Sequence, residues 1–284
     1  MPPPLSQLIK STPKVFLIDN GSLRPQATFA LRELAAQLTE RGQQEVEPVS
    51  LLHSHKIPVE KIGGVPATIV RRRLRECIAA GERHFVMLPL FLGPSSAIRD
   101  YLPELIEEAR AQAPDIQVQI ADPLAGATVD APDPRLAEIL ADHVRSIIEA
   151  EQYALPKVAL VDHGTPVQSV NRVRNAVAQQ LASLLEKETS QVVASSMERR
   201  DGPEYAFNEP LLERLDTVFD SGGACVVAMF FLLPGRHAGE GGDVVEICDD
   251  LKARGAFQKI SITPLLAEHP MLLDILLDRL AAVE

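Results

Sequence analysis

The sequence predicts an α/β protein built as two doubly wound, parallel-sheet halves in tandem, and three observations predict it. Apolar runs of about four to eight residues, rich in valine and isoleucine, alternate with longer segments of helical period. The runs are apolar almost throughout, as in Cys225-Val226-Val227-Ala228-Met229-Phe230, which suits strands covered on both faces, and the segments between them have the length of βαβ crossovers. The whole order then repeats, with matching words at nearly one offset.

In the first half, strands are predicted at 15–19, 46–52, 84–90 and 116–121, with helices near 25–41, 66–80, 98–113 and 134–150. Asp133 stands as an N-cap for the last helix, with Pro134 in its first helical position, where a missing N–H loses nothing. After a hydrophilic joint around 149–156, strands are predicted at 157–162, 191–197, 224–230 and 258–263, each followed by a helix. The 284 residues thus divide into domains 1–150 and 151–284. Asp19-Asn20-Gly21-Ser22 answers Asp162-His163-Gly164-Thr165 at an offset of 143, Phe91-Leu92 answers Phe231-Leu232 at 140, and Pro123-Leu124 answers Pro264-Leu265 at 141. This is a duplication with pseudo-twofold symmetry. Its ligand site is expected in the cleft where the C-terminal strand ends face each other, lined by the loops after the first and third strands of each half.

Composition narrows the function. Hydrophobic residues make up 46% and charged residues 24%, the balance of a soluble globular chain. A net charge of −11 disfavours nucleic acid and anionic membrane as partners and leaves small molecules as the default. No apolar run reaches the length of a membrane span, and the opening MPPPLSQLIK lacks the apolar stretch of a secretory signal. The three cysteines, Cys77, Cys225 and Cys248, show no CxxC spacing, so a reducing cytoplasm is the expected location. Arg71, Arg72, Arg73 and Arg75 form either an anion-binding tract or a solvated helix face.

Chemistry concentrates in the second half. His163 follows its first strand, where Gly164 lets the chain turn and Thr165 can start a helix; His237 follows its third strand in a glycine-rich segment. Two imidazoles from neighbouring loops can share one divalent cation or pass protons to a ligand between them. Glu198 closes the second strand and either completes a mixed N/O site or pairs on the surface with Arg199 or Arg200. The first half lacks these groups: Asn20 stands where His163 does, Ala97 with Ser95 and Ser96 occupies the region matching His237, and His53 and His55 lie near the place answering to Glu198. His53 and His55 are read either as an auxiliary metal-loading site or as solvated loop residues, and His84, His143 and His269 as structural.

His163-Gly164-Thr165, the FLLPGRHAGEGGD of residues 231–243 and the strand ending at Glu198 together resemble the CbiX/sirohydrochlorin chelatase family, tetrapyrrole chelatases without a nucleotide requirement that include CbiK-type cobaltochelatases and are distantly similar in fold to ferrochelatase. The first half looks like an eroded copy, in the strand 15–22 and in Leu88-Pro89-Leu90-Phe91-Leu92 through Pro103. The resemblance implies two flavodoxin-like, chelatase-type lobes, the first with a degenerate site, and an enzyme that inserts Co²⁺ or Fe²⁺ into sirohydrochlorin. It also implies His163, Glu198 and His237 as the catalytic and metal-ligating residues, with Co²⁺, Fe²⁺ or Ni²⁺ as substrate ion and no nucleotide. Neutral imidazole and carboxylate suit such borderline cations, and a histidine near pKa 6.5 can accept a proton that leaves the ring. Arg199, Arg200 and Arg236, with Arg24 and Arg99 from the other lobe, are candidates to pair with ring carboxylates, the alternative being solvated arginines. Gly239, Gly241 and Gly242 are candidates to offer backbone N–H groups to a ring carboxylate at a helix N-terminus. The alternative function is a tetrapyrrole- or metal-binding protein of the same fold without turnover. Oligomeric state is left open.

Overall fold

The structure, a computed structural model, describes residues 12–239 and 241–283. The opening segment read above for a signal therefore lies outside the described residues, as does Glu240 of the glycine-rich segment. Two four-stranded sheets form, each wholly parallel. The first contains β1 (Lys14–Asp19), β2 (Val46–Ser50), β3 (His84–Pro89) and β4 (Gln117–Ile120), in the order β2-β1-β3-β4. The second contains β5 (Lys157–Asp162), β6 (Gln191–Ser196), β7 (Ala224–Met229) and β8 (Lys259–Ile262), in the order β6-β5-β7-β8. In each sheet the first strand is flanked by the second and third, so the chain reverses direction of travel across the sheet between β1 and β3, and again between β5 and β7. That switch point opens a crevice at the C-terminal strand ends.

The central strands are legible because both faces are covered: Val15, Phe16, Leu17 and Ile18 are buried, as are Val158, Ala159, Leu160 and Val161. Helix α1 (Pro25–Gly42) starts on a proline and buries Ala27, Leu31, Leu34, Ala35 and Leu38, a single stripe at helical spacing. Its counterpart α5 (Gln168–Leu184) buries Val173, Val177, Ala178 and Leu181, and also Arg174. Helices α2 (Val70–Ala79) and α3 (Leu102–Arg110) cover the other face of the first sheet; the segment expected as helix from residue 66 begins at Val70, because Ser50 bridges to Ile69 and holds that stretch extended. Arg71, Arg72 and Arg73 pair with Glu108, Glu76 and Glu47, so the basic tract is a paired surface.

One predicted helix does not form. Between β6 and β7 the chain makes two short 3₁₀ segments, Pro203–Asn208 and Leu212–Thr217. Gly202 with φ +116° and Pro203 break any run at its start, Pro210 breaks it in the middle, and Gly222 and Gly223, both with positive φ, stop it before β7. Helix α6 (Asp243–Ala253) follows β7 as expected.

The last helix of each half is exchanged. Helix α4 (Arg135–Glu151) ends the first half yet packs on α5 and β7 of the second, whereas α7 (Met271–Ala281) ends the chain and packs on α1 and β3 of the first. Packing thus does not follow the cut at residue 150. Helix α4 opens one residue later than expected, so Pro134 rather than Asp133 holds the N-cap position, and Asp133 accepts the Arg135 N–H at 3.1 Å from just outside the helix. Since α4 is covered on several sides, it buries Leu136, Ala137, Ile139, Leu140, Ala141, His143 and Val144 rather than one stripe. A continuous core of α1, α4, α5 and α7 with β1, β3, β5 and β7 joins the lobes.

Candidate active site

The backbone frame at the strand ends is the same in both lobes. Beyond β5, the N–H of Met197 donates to Asp162 and that of Glu198 to His163, at 2.7 and 3.2 Å; beyond β1, Leu51 donates to Asp19 and Leu52 to Asn20, at 2.9 and 3.1 Å. Gly164 and Gly21 turn the chain under these contacts with φ of +92° and +87°. A Cβ at Gly164 would overlap the carbonyl oxygen of Glu198, and one at Gly21 that of Leu52. Asp162 pairs in register with Ser196 and Asp19 with Ser50, so Leu52, not His53 or His55, holds the place of Glu198. His53 and His55 lie beyond it around a 3₁₀ turn at Ser54–Lys56. With Asn20 and Ala97 at the other two positions, the first lobe keeps the frame and lacks the side chains.

In the second lobe His163 and His237 meet: their ring centroids are 4.5 Å apart, at 68° to each other. Both line a cleft of about 590 Å³ between the lobes, together with Asn20, Gly21, Leu90, Phe91, Ala97, Phe230 and Phe231. His163 Nδ1 lies 3.1 Å from the Gly164 carbonyl. The carbonyl favours a proton on Nδ1, and the carboxylate that faces Nε2 favours one there, so each ring nitrogen of His163 has an acceptor beside it. Glu198 Oε1 is 3.4 Å from that Nε2, half exposed. His237 Nδ1 lies 2.7 Å from Oδ2 of Asp243, the first residue of α6, and this carboxylate orients the ring with Nδ1 as donor and leaves Nε2 for a ligand. Among the described residues no group of three His, Cys, Asp or Glu side chains is placed to enclose a cation. The arrangement is an open pair of imidazoles with a carboxylate against one of them.

Beneath His163 lies a buried polar network. Asp162 accepts from the Ser196 hydroxyl at 2.6 Å and the Gly164 N–H at 3.1 Å, with the Arg174 guanidinium 3.6 Å away. Arg174 also donates to Ser196, and Asn208 holds both the N–H and the carbonyl of Thr165. Burial pushes the Asp162 carboxyl above its ordinary value against the pull of Arg174, Ser196 and Gly164, and pushes the Arg174 guanidinium below its own. Arg174, Asn208 and Asp243 were not predicted as site residues. Arg174 sits on the apolar stripe of α5, where a charge is itself a signal, and Asp243 closes the glycine-rich segment. Asn208 gives no sequence signal, because it depends on an irregular connection.

The proposed carboxylate-binding groups divide. Arg236 lines the cleft, three-quarters exposed, with Asp243 3.7 Å from its Nε. Arg199 instead bonds Glu209 and the carbonyls of Arg200 and Gly202, and Arg200 lies over the Tyr205 ring. Neither lines the cleft, nor do Arg24 and Arg99. Gly242 does not offer its N–H to an anion as expected: it donates to Gly239, the N–H groups of Asp243 and Val244 donate to the carbonyls of Arg236 and His237, and Asp243 and Glu246 bring negative charge to the first turn of α6. Gly242 lets the segment fold tightly behind His237, since a Cβ there would crowd the His237 carbonyl.

Comparisons with known proteins come to the same fold. The sequence pattern of the CbiX family matches residues 14–147, the lobe that has lost the side chains but kept the frame. No curated protein matches the chain in sequence. SirB from Bacillus subtilis with Fe³⁺ is 14% identical, with 95% of each chain covered and a TM-score of 0.69. The sirohydrochlorin chelatase SirB from Bacillus subtilis subspecies spizizenii in complex with cobalt is also 14% identical at 0.69, over 95% of this chain and 94% of that one. CbiX, described as the terminal enzyme for biosynthesis of siroheme in denitrifying bacteria, is 18% identical over 95% of this chain and 98% of that one, with a TM-score of 0.56. The two-lobed α/β fold is thus similar to that of these SirB and CbiX structures. Among the described residues no helix is long and apolar enough to cross a membrane.

Proposed function

We propose that this chain, whose residues 14–147 match the sequence pattern of the CbiX family, is a metal chelatase that inserts Co²⁺ or Fe²⁺ into sirohydrochlorin without a nucleotide. The observation that carries this reading is the convergence of His163 and His237 to 4.5 Å in a cleft between two parallel sheets. The Asp243 contact leaves Nε2 of His237 for a ligand, and Glu198 adds a carboxylate oxygen beside Nε2 of His163. His163, His237 and Glu198 then hold the incoming ion, which is substrate. An open set of this kind suits an ion that must leave, since a closed cage of thiolates and imidazoles would retain it. Phe91, Phe230 and Phe231 give the cleft the apolar walls a macrocycle needs, and Arg236 meets one ring carboxylate. The same donor set accepts Ni²⁺. The buried, reduced cysteines, with the Cys225 and Cys248 thiols pushed up to about 12 by burial, fit a cytoplasmic setting and take no part in the chemistry.

The test is anaerobic absorbance of sirohydrochlorin with Co²⁺, Fe²⁺ or Ni²⁺ and catalytic protein, in the absence of nucleotide. Metallation above the spontaneous rate is expected from the natural chain, and a loss of at least about a hundredfold in H163A/H237A, the scale of an acid–base or ligand group. A double variant as fast as the natural chain would end the reading. A spectral shift on ring binding without incorporation would make the protein a carrier instead.

A further inference from the structure

The two lobes place the same acid at the same point, and only one of these acids has a counter-charge. Asp162 ends β5 beside Arg174, Ser196 and the Gly164 N–H. Asp19 ends β1 in the same register, 9% exposed, and it lines the cleft. Its Oδ1 has no hydrogen-bond partner. The residue of α1 that answers to Arg174 at the offset of 143 is Leu31, which is buried and apolar. A carboxyl taken from water with neither cation nor full hydrogen bonding is costly, and such groups cluster where they act on a ligand.

We propose that Asp19 is a catalytic residue, the proton acceptor on the first-lobe side of the cleft, taking one of the two pyrrole N–H protons that leave as a divalent cation enters the ring. This deepens the chelatase reading and rests on it. The cation approaches from His163 and His237 in the second lobe, so the opposite face of the macrocycle meets Asn20, Ala97 and Asp19, and of these only Asp19 can take up a proton. The N–H bond breaks with its electron pair left on nitrogen, that pair forms the bond to the cation, and the proton passes to the Asp19 carboxyl and from it to water at the cleft mouth. The second proton leaves on the second-lobe side, to an imidazole that has given up its ion. One dication enters, two protons leave, and nothing is oxidised or reduced. Burial holds the Asp19 carboxyl above its ordinary value, the Ser50 hydroxyl and Gly21 amide pull the other way, and no charged side chain of the neighbouring elements acts on it. It is therefore a stronger base than an exposed carboxylate.

The experiment is steady-state metallation of sirohydrochlorin by Co²⁺ with the full chain, D19N and D19E, between pH 5 and 9. In D19N, kcat is expected to fall about a hundredfold with both KM values within about threefold, and the acid limb of the kcat profile is expected to move, since the imidazoles alone then set it; D19E restores part of the rate. Wild-type kcat in D19N, or a lower kcat with the acid limb unmoved, would overturn the proposal. A natural chain that does not metallate at all refutes the chelatase reading itself, and the proposal with it. A measurement that needs no variant is the ¹³C carboxyl titration of Asp19 in the natural chain: a midpoint in the ordinary carboxylate range, unmoved by ring binding, also overturns it.

Discussion

Gly164 shows how little freedom the cleft residues have. Its φ of +92° and its contact with the Glu198 backbone leave no room for a side chain. G164A should cost on the order of 1–3 kcal/mol in backbone strain alone, and it should push Glu198 away from His163. Urea denaturation and Co²⁺ calorimetry together check this; unchanged metal affinity would show that Glu198 is not a ligand. Arg174 offers a sharper test of the network below. Removing it in R174M strands a buried carboxylate and should cost about 3–5 kcal/mol, while R174M/D162N, which removes both charges, should recover most of that. Asp19 supplies the pH dependence. Its folded pKa is raised, so its contribution to stability is present below the unfolded value of about 3.9 and is lost as pH rises through the folded value. The urea midpoint of D19N, compared with that of the natural chain, should therefore gain ground as pH climbs from 4 to 8; a constant difference would refute it. At this scale the sequence showed His163 and His237 because each follows an apolar strand with turn chemistry. It could not show Asp243 or Arg174, whose partners come from other elements, and it credited Arg199 and Gly242 with free donors that the folded loops engage.

Among the elements, strands were the most legible, since a strand covered on both faces writes its burial directly into a run such as Val158-Ala159-Leu160-Val161. The helix expected between β6 and β7 failed for a local reason: Gly202, Pro203, Pro210, Gly222 and Gly223 punctuate the segment, and apolar spacing alone does not outweigh them. The irregular path has a use, because it brings Asn208 back under Thr165. Helix α4 carries the strongest packing load. Leu140 is fully buried between α4's neighbours, and L140A should cost about 2–5 kcal/mol by calorimetry or denaturant titration, in the range of large-to-small core changes.

For the whole molecule, the duplication was legible from words at an offset of about 140 residues, yet the exchange of α4 and α7 was not, because chain order says nothing about which sheet a terminal helix covers. The core that joins the lobes predicts one cooperative unfolding transition, with calorimetric and van't Hoff enthalpies equal. Chains cut at residue 150 should each expose an uncovered sheet face and fail to fold alone, whereas two separate transitions in the intact protein would contradict this. Tied crosswise by their outer helices, the lobes share packing as the parts of a vice share a frame, which opposes a hinge between them. On the proposed function, a flat macrocycle held there would take up strain itself, and a puckered ring turns its nitrogen lone pairs out of plane, toward the side from which the ion arrives.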